Sequence, residues 1–66
     1  MQVTINGKTE TIDQPVSVAE LLGRLELQPV RVAVEINREL VTRSEFNDTM
    51  LQEGDQIEIV TFVGGG

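Results

Sequence analysis

Only one stretch of this sequence carries a sustained helical period. Val18, Leu21, Leu22 and Leu25 recur at i, i+3, i+4 and i+7, which lines up one apolar face of an α-helix. Ser17 and Glu20 read S-x-x-E, the pattern by which a helix satisfies its first free N–H groups. Pro29 sets the far limit, because the residue before a proline is pushed out of the α region. Gly23 lies inside the run, faces away from Leu21 and Leu25, and costs about 1 kcal/mol against alanine. A single amphipathic helix cannot bury its face alone. It needs a flat apolar partner, and the rest of the chain supplies one.

Residues 2–5 alternate polar and apolar, the period of a half-buried strand. Asn6-Gly7 follows, a pair suited to a two-residue type I′ turn, where both central residues need φ > 0. Residues 9–12 then run back as a second strand, ended by Pro15, which cannot donate to a ladder. Beyond the helix, Val32, Val34 and Ile36 alternate with Ala33 and Glu35 as a third strand. A turn over residues 37–40 leads to a short extended piece at Leu40-Val41. Thr42 and Glu45 repeat the capping pattern, which predicts a brief helical turn at 43–46. Phe46, Met50 and Leu51 are expected to fill the core. Glu53-Gly54-Asp55 reads as a turn, and residues 56–63 as the last strand. Ile57, Ile59 and Thr61 share one face of it; Glu58, Val60 and Phe62 share the other.

The order is β-β-α-β, an irregular piece, then β. Layer logic packs one face of a sheet on the helix. The expected path is a hairpin, a right-handed crossover helix and a third strand parallel to the first. The last strand then enters the middle of the sheet beside strand one. This is the α+β, ubiquitin-like β-grasp, with a mixed sheet of four to five strands on one main helix. The expected division is a β-grasp domain over residues 1–63 and a flexible glycine tail over 64–66.

Composition narrows the chemistry. The 66 residues make one domain. A domain of this size buries only about 60% of its unfolded surface, which leaves no core to enclose an active site. Cysteine and histidine are absent, so thiol chemistry, histidine-assisted nucleophiles and Cys/His zinc sites are excluded. Eleven acidic residues against five basic ones give a net charge of −6. That balance disfavours nucleic acid as a partner. It suits a basic protein surface, or serves solubility alone. Glu10, Glu20, Glu35, Glu53, Asp55 and Glu58 fall on polar faces or in turns and read as solvated charge. Ser17 and Ser44 have no base to activate them. The expectation is that the chain is not an enzyme and holds no metal. No apolar run approaches the ~20 residues of a membrane span. Residues 1–5 lack the basic start and apolar core of a signal peptide, so the expected location is the cytoplasm.

What remains is the end of the chain, Gly64, Gly65 and Gly66. A free α-carboxylate, with a pKa of ~3.3–3.7, is ionised at neutral pH and is a poor electrophile. To carry a group by acyl chemistry it must first be activated, for example as a mixed anhydride with AMP. Glycines have no Cβ, so a narrow channel can close around them. Three extended residues reach roughly 10 Å into another protein. Val60 and Phe62 could anchor the body outside through an apolar patch. The alternative is that the glycines are a frayed end with no role.

These residues resemble a known family. The ending EGDQIEIVTFVGGG over residues 53–66, in so short a chain, is similar to the ThiS family of sulfur carriers in thiamine biosynthesis. The Asn6-Gly7 hairpin, Val18-x-x-Leu21-Leu22-x-x-Leu25, Val32-Ala33-Val34-Glu35-Ile36-Asn37 and Val41-x-Arg43-Ser44-Glu45-Phe46 extend the likeness along the whole chain. Phe46 departs from it, since tryptophan is as common there. The resemblance implies a β-grasp fold and a working carboxylate on Gly66. It implies adenylation of Gly66 by an E1-like, ThiF-type adenylyltransferase that uses ATP, with no cofactor bound by the carrier. Sulfur from a cysteine desulfurase persulfide then gives a C-terminal thiocarboxylate, and thiazole synthase receives the sulfur. Gly65 and Gly66 carry over firmly; Gly64 is the family's frequent additional glycine. The alternatives are a molybdopterin-synthase-type sulfur carrier, a ubiquitin-like protein modifier, and a β-grasp interaction domain without acyl chemistry.

Overall fold

The computed structural model describes residues 1–62; residues 63–66 lie outside the described part, and with them the predicted tail and the end of the predicted last strand. Strands β1 (Gln2–Ile5) and β2 (Lys8–Thr11) form the expected hairpin. Asn6 and Gly7 hold φ of 49° and 82°, both positive as the tight turn requires. Helix α1 (Val18–Arg24) starts where the capping pattern places it. The Ser17 N–H donates to Glu20 Oε1 at 2.8 Å, and the Glu20 N–H donates to Ser17 Oγ at 3.1 Å. Its end comes earlier than the apolar stripe suggests. Leu25 is the C-cap and 43% exposed, outside the buried face of Val18, Leu21 and Leu22. The cause is a left-handed residue, Glu26 at φ 60°, which lets the N–H groups of Glu26 and Leu27 return to the carbonyls of Gly23 and Leu22. That reversal, not Pro29, stops the helix.

A 3-10 turn (Pro29–Arg31) leads into β3 (Val32–Ile36), which pairs with β4 (Glu39–Val41) through a two-residue turn at Asn37-Arg38. A second 3-10 turn (Arg43–Glu45) falls inside the predicted 43–46 segment, and β5 (Gln56–Thr61) closes the fold. The sheet order is β2-β1-β5-β3-β4. The last strand is central, as expected. The direction of β3 corrects the sequence reading. β5 runs parallel to β1 and antiparallel to β3, so β3 is antiparallel to β1. The physical reason is that β2, not β1, feeds the helix. A strand-helix-strand crossover restores the direction of the strand that enters it, and β2 is antiparallel to β1. The parallel pair beside β1 is made by β5 instead.

The core lies between the helix and one sheet face. Val3, Val16, Val18, Leu22, Val34 and Ile57 are its most buried members, and Phe46 and Leu51 join them. Met50 does not, being 45% exposed. Residues 49–51 run extended beside residues 16–18, with Val18 N–H on the Thr49 carbonyl and Leu51 N–H on the Val16 carbonyl. Period two then sends Leu51 inward and Met50 outward. Asp55 corrects the reading of solvated carboxylates. It is buried, and it accepts from the Gln52 N–H at 2.8 Å and from Asn37 Nδ2 at 3.1 Å. It ties the turn before β5 to the β3–β4 turn. Among the described residues, no helix is long and apolar enough to cross a membrane.

Candidate functional site

β5 is the element that leads to the terminus, and both its edges are held by different means. Toward β3 the register runs from Ile36↔Ile57 to Val32↔Thr61. The Phe62 N–H adds a further bond to the Arg31 carbonyl at 2.7 Å. Toward β1 the strand pairing covers only Thr4↔Gln56 and Ile5↔Ile57, and the Asn6 N–H then donates to the Ile57 carbonyl at 2.8 Å. β1 ends there because Asn6-Gly7 turns the chain back. The Asn6 carboxamide takes over. Its Oδ1 accepts from the Ile59 N–H at 2.8 Å, and its Nδ2 donates to the Ile59 carbonyl at 3.1 Å. A side-chain amide thus stands in for one more residue of strand. At the other end, Asn37 Oδ1 accepts from the Gln56 N–H at 3.0 Å. The two turn asparagines therefore clasp β5 at Gln56 and Ile59. Sequence reasoning placed Asn6 only as a turn former.

The sheet face away from the helix carries the two predicted docking residues. Val60 is 60% exposed and sits opposite Ala33; Phe62 is 55% exposed at the end of the strand. Phe62 also lines a shallow groove of about 270 Å³ with Val30, Ala33, Leu40 and Phe46. Val30 and Leu40 are exposed large apolar residues that the sequence reading missed. Val30 sits in the 3-10 turn before β3, and the place of Leu40 depends on the β3–β4 register; no local pattern reveals either. Farther along the same face the surface turns acidic, with Glu58 directly opposite Glu35. Like charges at directly opposed positions repel by a few tenths of a kcal/mol or so, which a basic partner would relieve. Gly64, Gly65 and Gly66 lie outside the described residues.

The side chains offer little other chemistry. Among the described residues, no group of three or more His, Cys, Asp or Glu is placed to hold a metal ion. Among the described residues, Glu45 has the one resolved shift of an ionisable group. The Thr42 backbone N–H and then the Thr42 hydroxyl, both donating to its Oε1 at 2.9 Å, hold its carboxyl below the ordinary range. That carboxylate belongs to the 3-10 turn, away from β5's outer face.

The geometry is that of a rigid central strand with an apolar patch at its outgoing end. Comparisons with known proteins agree on what carries it. The model of the ThiS family matches residues 3–66. The chain is 30% identical to the sulfur carrier protein ThiS of Escherichia coli, covering the whole of both chains. It is 39% identical over all its 66 residues to a thiazole synthase of Paramagnetospirillum magneticum, of which it spans only 20%. A crystal structure of the thiamine biosynthesis protein ThiS from Geobacter metallireducens superposes with a TM-score of 0.84 at 40% identity, each chain covered in full. The same five-strand mixed sheet and single helix, shared along the whole length with such a protein, identify the fold as the β-grasp and place this chain in the ThiS family.

Proposed function

We propose that this chain is a sulfur carrier of thiamine biosynthesis that works through the α-carboxylate of Gly66. The observation that carries the reading is positional. In the sequence Gly64, Gly65 and Gly66 begin three residues after the last residue of a strand that is clasped on both edges and bordered by an exposed apolar patch. The rigid part can dock while the thin part is threaded. The absence of cysteine and histidine from the sequence leaves no better group for covalent chemistry.

The chemistry follows from the carboxylate. A Gly66 oxygen attacks the α-phosphorus of ATP in a ThiF-type adenylyltransferase, giving an acyl adenylate and releasing pyrophosphate. The terminal sulfur of a persulfide, charged by a cysteine desulfurase, attacks the acyl carbon and expels AMP. A thiol then cleaves the resulting acyl disulfide, itself becoming part of a disulfide, and leaves the thiocarboxylate. The carrier supplies no catalytic side chain in any of these steps. It is a co-substrate in the cytoplasm, with ATP consumed by its partner. Gly64 and Gly65 supply reach and slimness, and Val60 and Phe62 the docking contact. Thiazole synthase is the receiver. Support for that partner comes from the thiazole synthases of Paramagnetospirillum magneticum and Magnetococcus marinus, in each of which a stretch alike to this whole chain makes up 20% of the length.

Intact-protein mass spectrometry of the chain isolated from cells tests the reading. The expected result is an oxygen-to-sulfur mass increase confined to the C-terminal residue. Isopeptide adducts to other proteins in its place would favour a protein modifier. Deleting Gly65 and Gly66 should abolish ATP-dependent AMP transfer by the adenylyltransferase; transfer that survives the deletion rules the carrier out.

A further inference from the structure

Strand β2 is an outer strand of the sheet: β1 lies on one side of it and, among the described residues, no strand lies on the other. The hydrogen-bond phase says which of its backbone groups point to that open side. Met1 and Ile12 exchange both bonds, the Met1 ammonium donating to the Ile12 carbonyl and the Ile12 N–H to the Met1 carbonyl, each at 2.8 Å. In the antiparallel register, Val3↔Glu10 and Ile5↔Lys8 fall in the same phase. Thr4, between them, donates its N–H away from β2, to the Asp55 carbonyl at 2.9 Å. Lys8, Glu10 and Ile12 therefore direct their backbone groups to β1, and Thr9 and Thr11 turn theirs outward.

The side chains of this edge carry both signs of charge. Lys8 and Glu10 stand opposite Ile5 and Val3, on the helix side of the sheet; Lys8 is exposed and Glu10 half-buried. An antiparallel copy of β2 centred on Thr9 suits backbone and side chains together. Thr9 then opposes Thr9 of the second copy as a hydrogen-bonded pair. Lys8 of each copy opposes Glu10 of the other at the non-hydrogen-bonded positions, where side chains lie closer. The alternative register of the same phase, centred on Glu10, sets Glu10 against itself. Charges on an edge strand discourage indiscriminate pairing; here the two signs select one register. We propose that β2 is self-complementary and that the chain forms a two-fold dimer through it, joining two five-stranded sheets into one.

Beside β2 on the helix side runs a groove of about 210 Å³ lined by Ile5, Ile12, Leu21 and Leu25, with Glu10 and Arg24. Pairing across β2 sets the two grooves side by side, so each copy covers apolar surface of the other. β2 is antiparallel to β1 and β5 is parallel to β1, so the two β5 strands run oppositely and end at opposite ends of the joined sheet. Neither Val60 nor Phe62 takes part, and β1 stands between β2 and β5. The proposal is independent of the carrier reading. The contact is one four-residue strand and its flank, smaller than the ~1,200 Å² at which stable interfaces begin, and the net charge of −6 opposes it at long range. The dimer is therefore weak and needs a high protein concentration at ~0.15 M ionic strength, where the screening length is about 8 Å.

Sedimentation equilibrium of the full chain at up to ~2 mM tests this. The expected result is a reversible monomer–dimer equilibrium with Kd of roughly 0.1–1 mM. Lys8→Glu and Glu10→Lys each alter both cross-pairs, because the two-fold axis repeats them, and each should weaken self-association roughly tenfold or more. Net charge alone would have Glu10→Lys, the less acidic protein, associate better. An equimolar mixture of the two variants restores every pair and should associate at least as well as the wild type. Amide exchange supplies a reading that needs no variant: the Thr9 amide should slow as the wild-type concentration rises. A wild type that stays monomeric at ~2 mM overturns the proposal. So does a dimer that Glu10→Lys leaves unchanged or strengthens, or one in which the Thr9 amide exchanges no slower than in the monomer.

Discussion

Replacing Asn6 with glycine isolates what the Asn6 carboxamide does for the strand that leads to the terminus. The substitution keeps the turn, since glycine adopts positive φ freely, and removes only the two bonds to Ile59. Each such bond is worth a net ~0.5–1.5 kcal/mol, so the pair is worth about 1–3 kcal/mol. Two smaller effects oppose each other. Glycine relieves part of the ~1–2 kcal/mol that an L-residue gives up in the left-handed region. It also costs about 0.5–1 kcal/mol in added freedom of the unfolded chain. The Ile59 groups are left near the surface, where water partly replaces the amide. The expected net loss is about 1–2 kcal/mol. In a domain of this size that lowers Tm by very roughly 4–16 °C. Urea unfolding should show the midpoint falling at unchanged slope, with faster amide exchange at Ile59. Asn6→Ala should be worse than Asn6→Gly by a further ~1 kcal/mol or more, because alanine is strained at φ 49°. An Asn6→Gly protein as stable as wild type would refute the reasoning, for the clasp would then hold nothing.

Two other expectations concern the body of the domain. Gly23→Ala should stabilise it by up to ~1 kcal/mol in urea unfolding, since a Cβ there meets nothing within 4 Å and the position lies inside α1. Glu45 sets a pH dependence. Its carboxyl is held below the ordinary range by the Thr42 N–H and hydroxyl, so the carboxylate form favours the folded state. That contribution is fully present above the unfolded pKa of ~4.3 and fades as pH falls through the lower folded value. Glu45→Gln should lack this part of the acid sensitivity, which Tm measured for both proteins across that range would reveal as converging curves at low pH.

Local signals in the sequence were the reliable ones. Asn6-Gly7 named its own turn, and Ser17 with Glu20 named the helix start, because each rests on interactions within four residues. The helix end was hidden: Glu26 occupies a left-handed position where glycine is the usual marker, so no residue type announces it. Met50 looked like core because it is apolar. Its outward turn depends on pairing with residues 16–18, more than thirty positions away in sequence. Asp55 looked solvated because it is charged, and its burial depends on donors from Gln52 and Asn37. The site was legible in part for the same reason. The exposure of Val60 and Phe62 follows from period two along one strand, whereas Val30 and Leu40 meet Phe62 at the groove only through the order of β5, β3 and β4. The second role of Asn6 is of the latter kind, a contact spanning 53 residues.

The arrangement of β5 also explains why a domain this small can serve a thin tail. A tail hung from an edge strand could be peeled with the strand, because one ladder would be all that held it. Here β5 is central, so pulling on the terminus loads two ladders at once, β1 with the Asn6 clasp on one side and β3 on the other. The last backbone bond among the described residues, Phe62 to Arg31, sits four residues short of Gly66. Four extended residues span at most ~13–14 Å. The carboxylate can therefore be offered about that far beyond a patch whose position is set by the sheet. On the proposed reading, docking through Val60 and Phe62 would restrict where the carboxylate can be found before any contact is made with the glycines, and the partner would need only to align a segment already brought to its entrance.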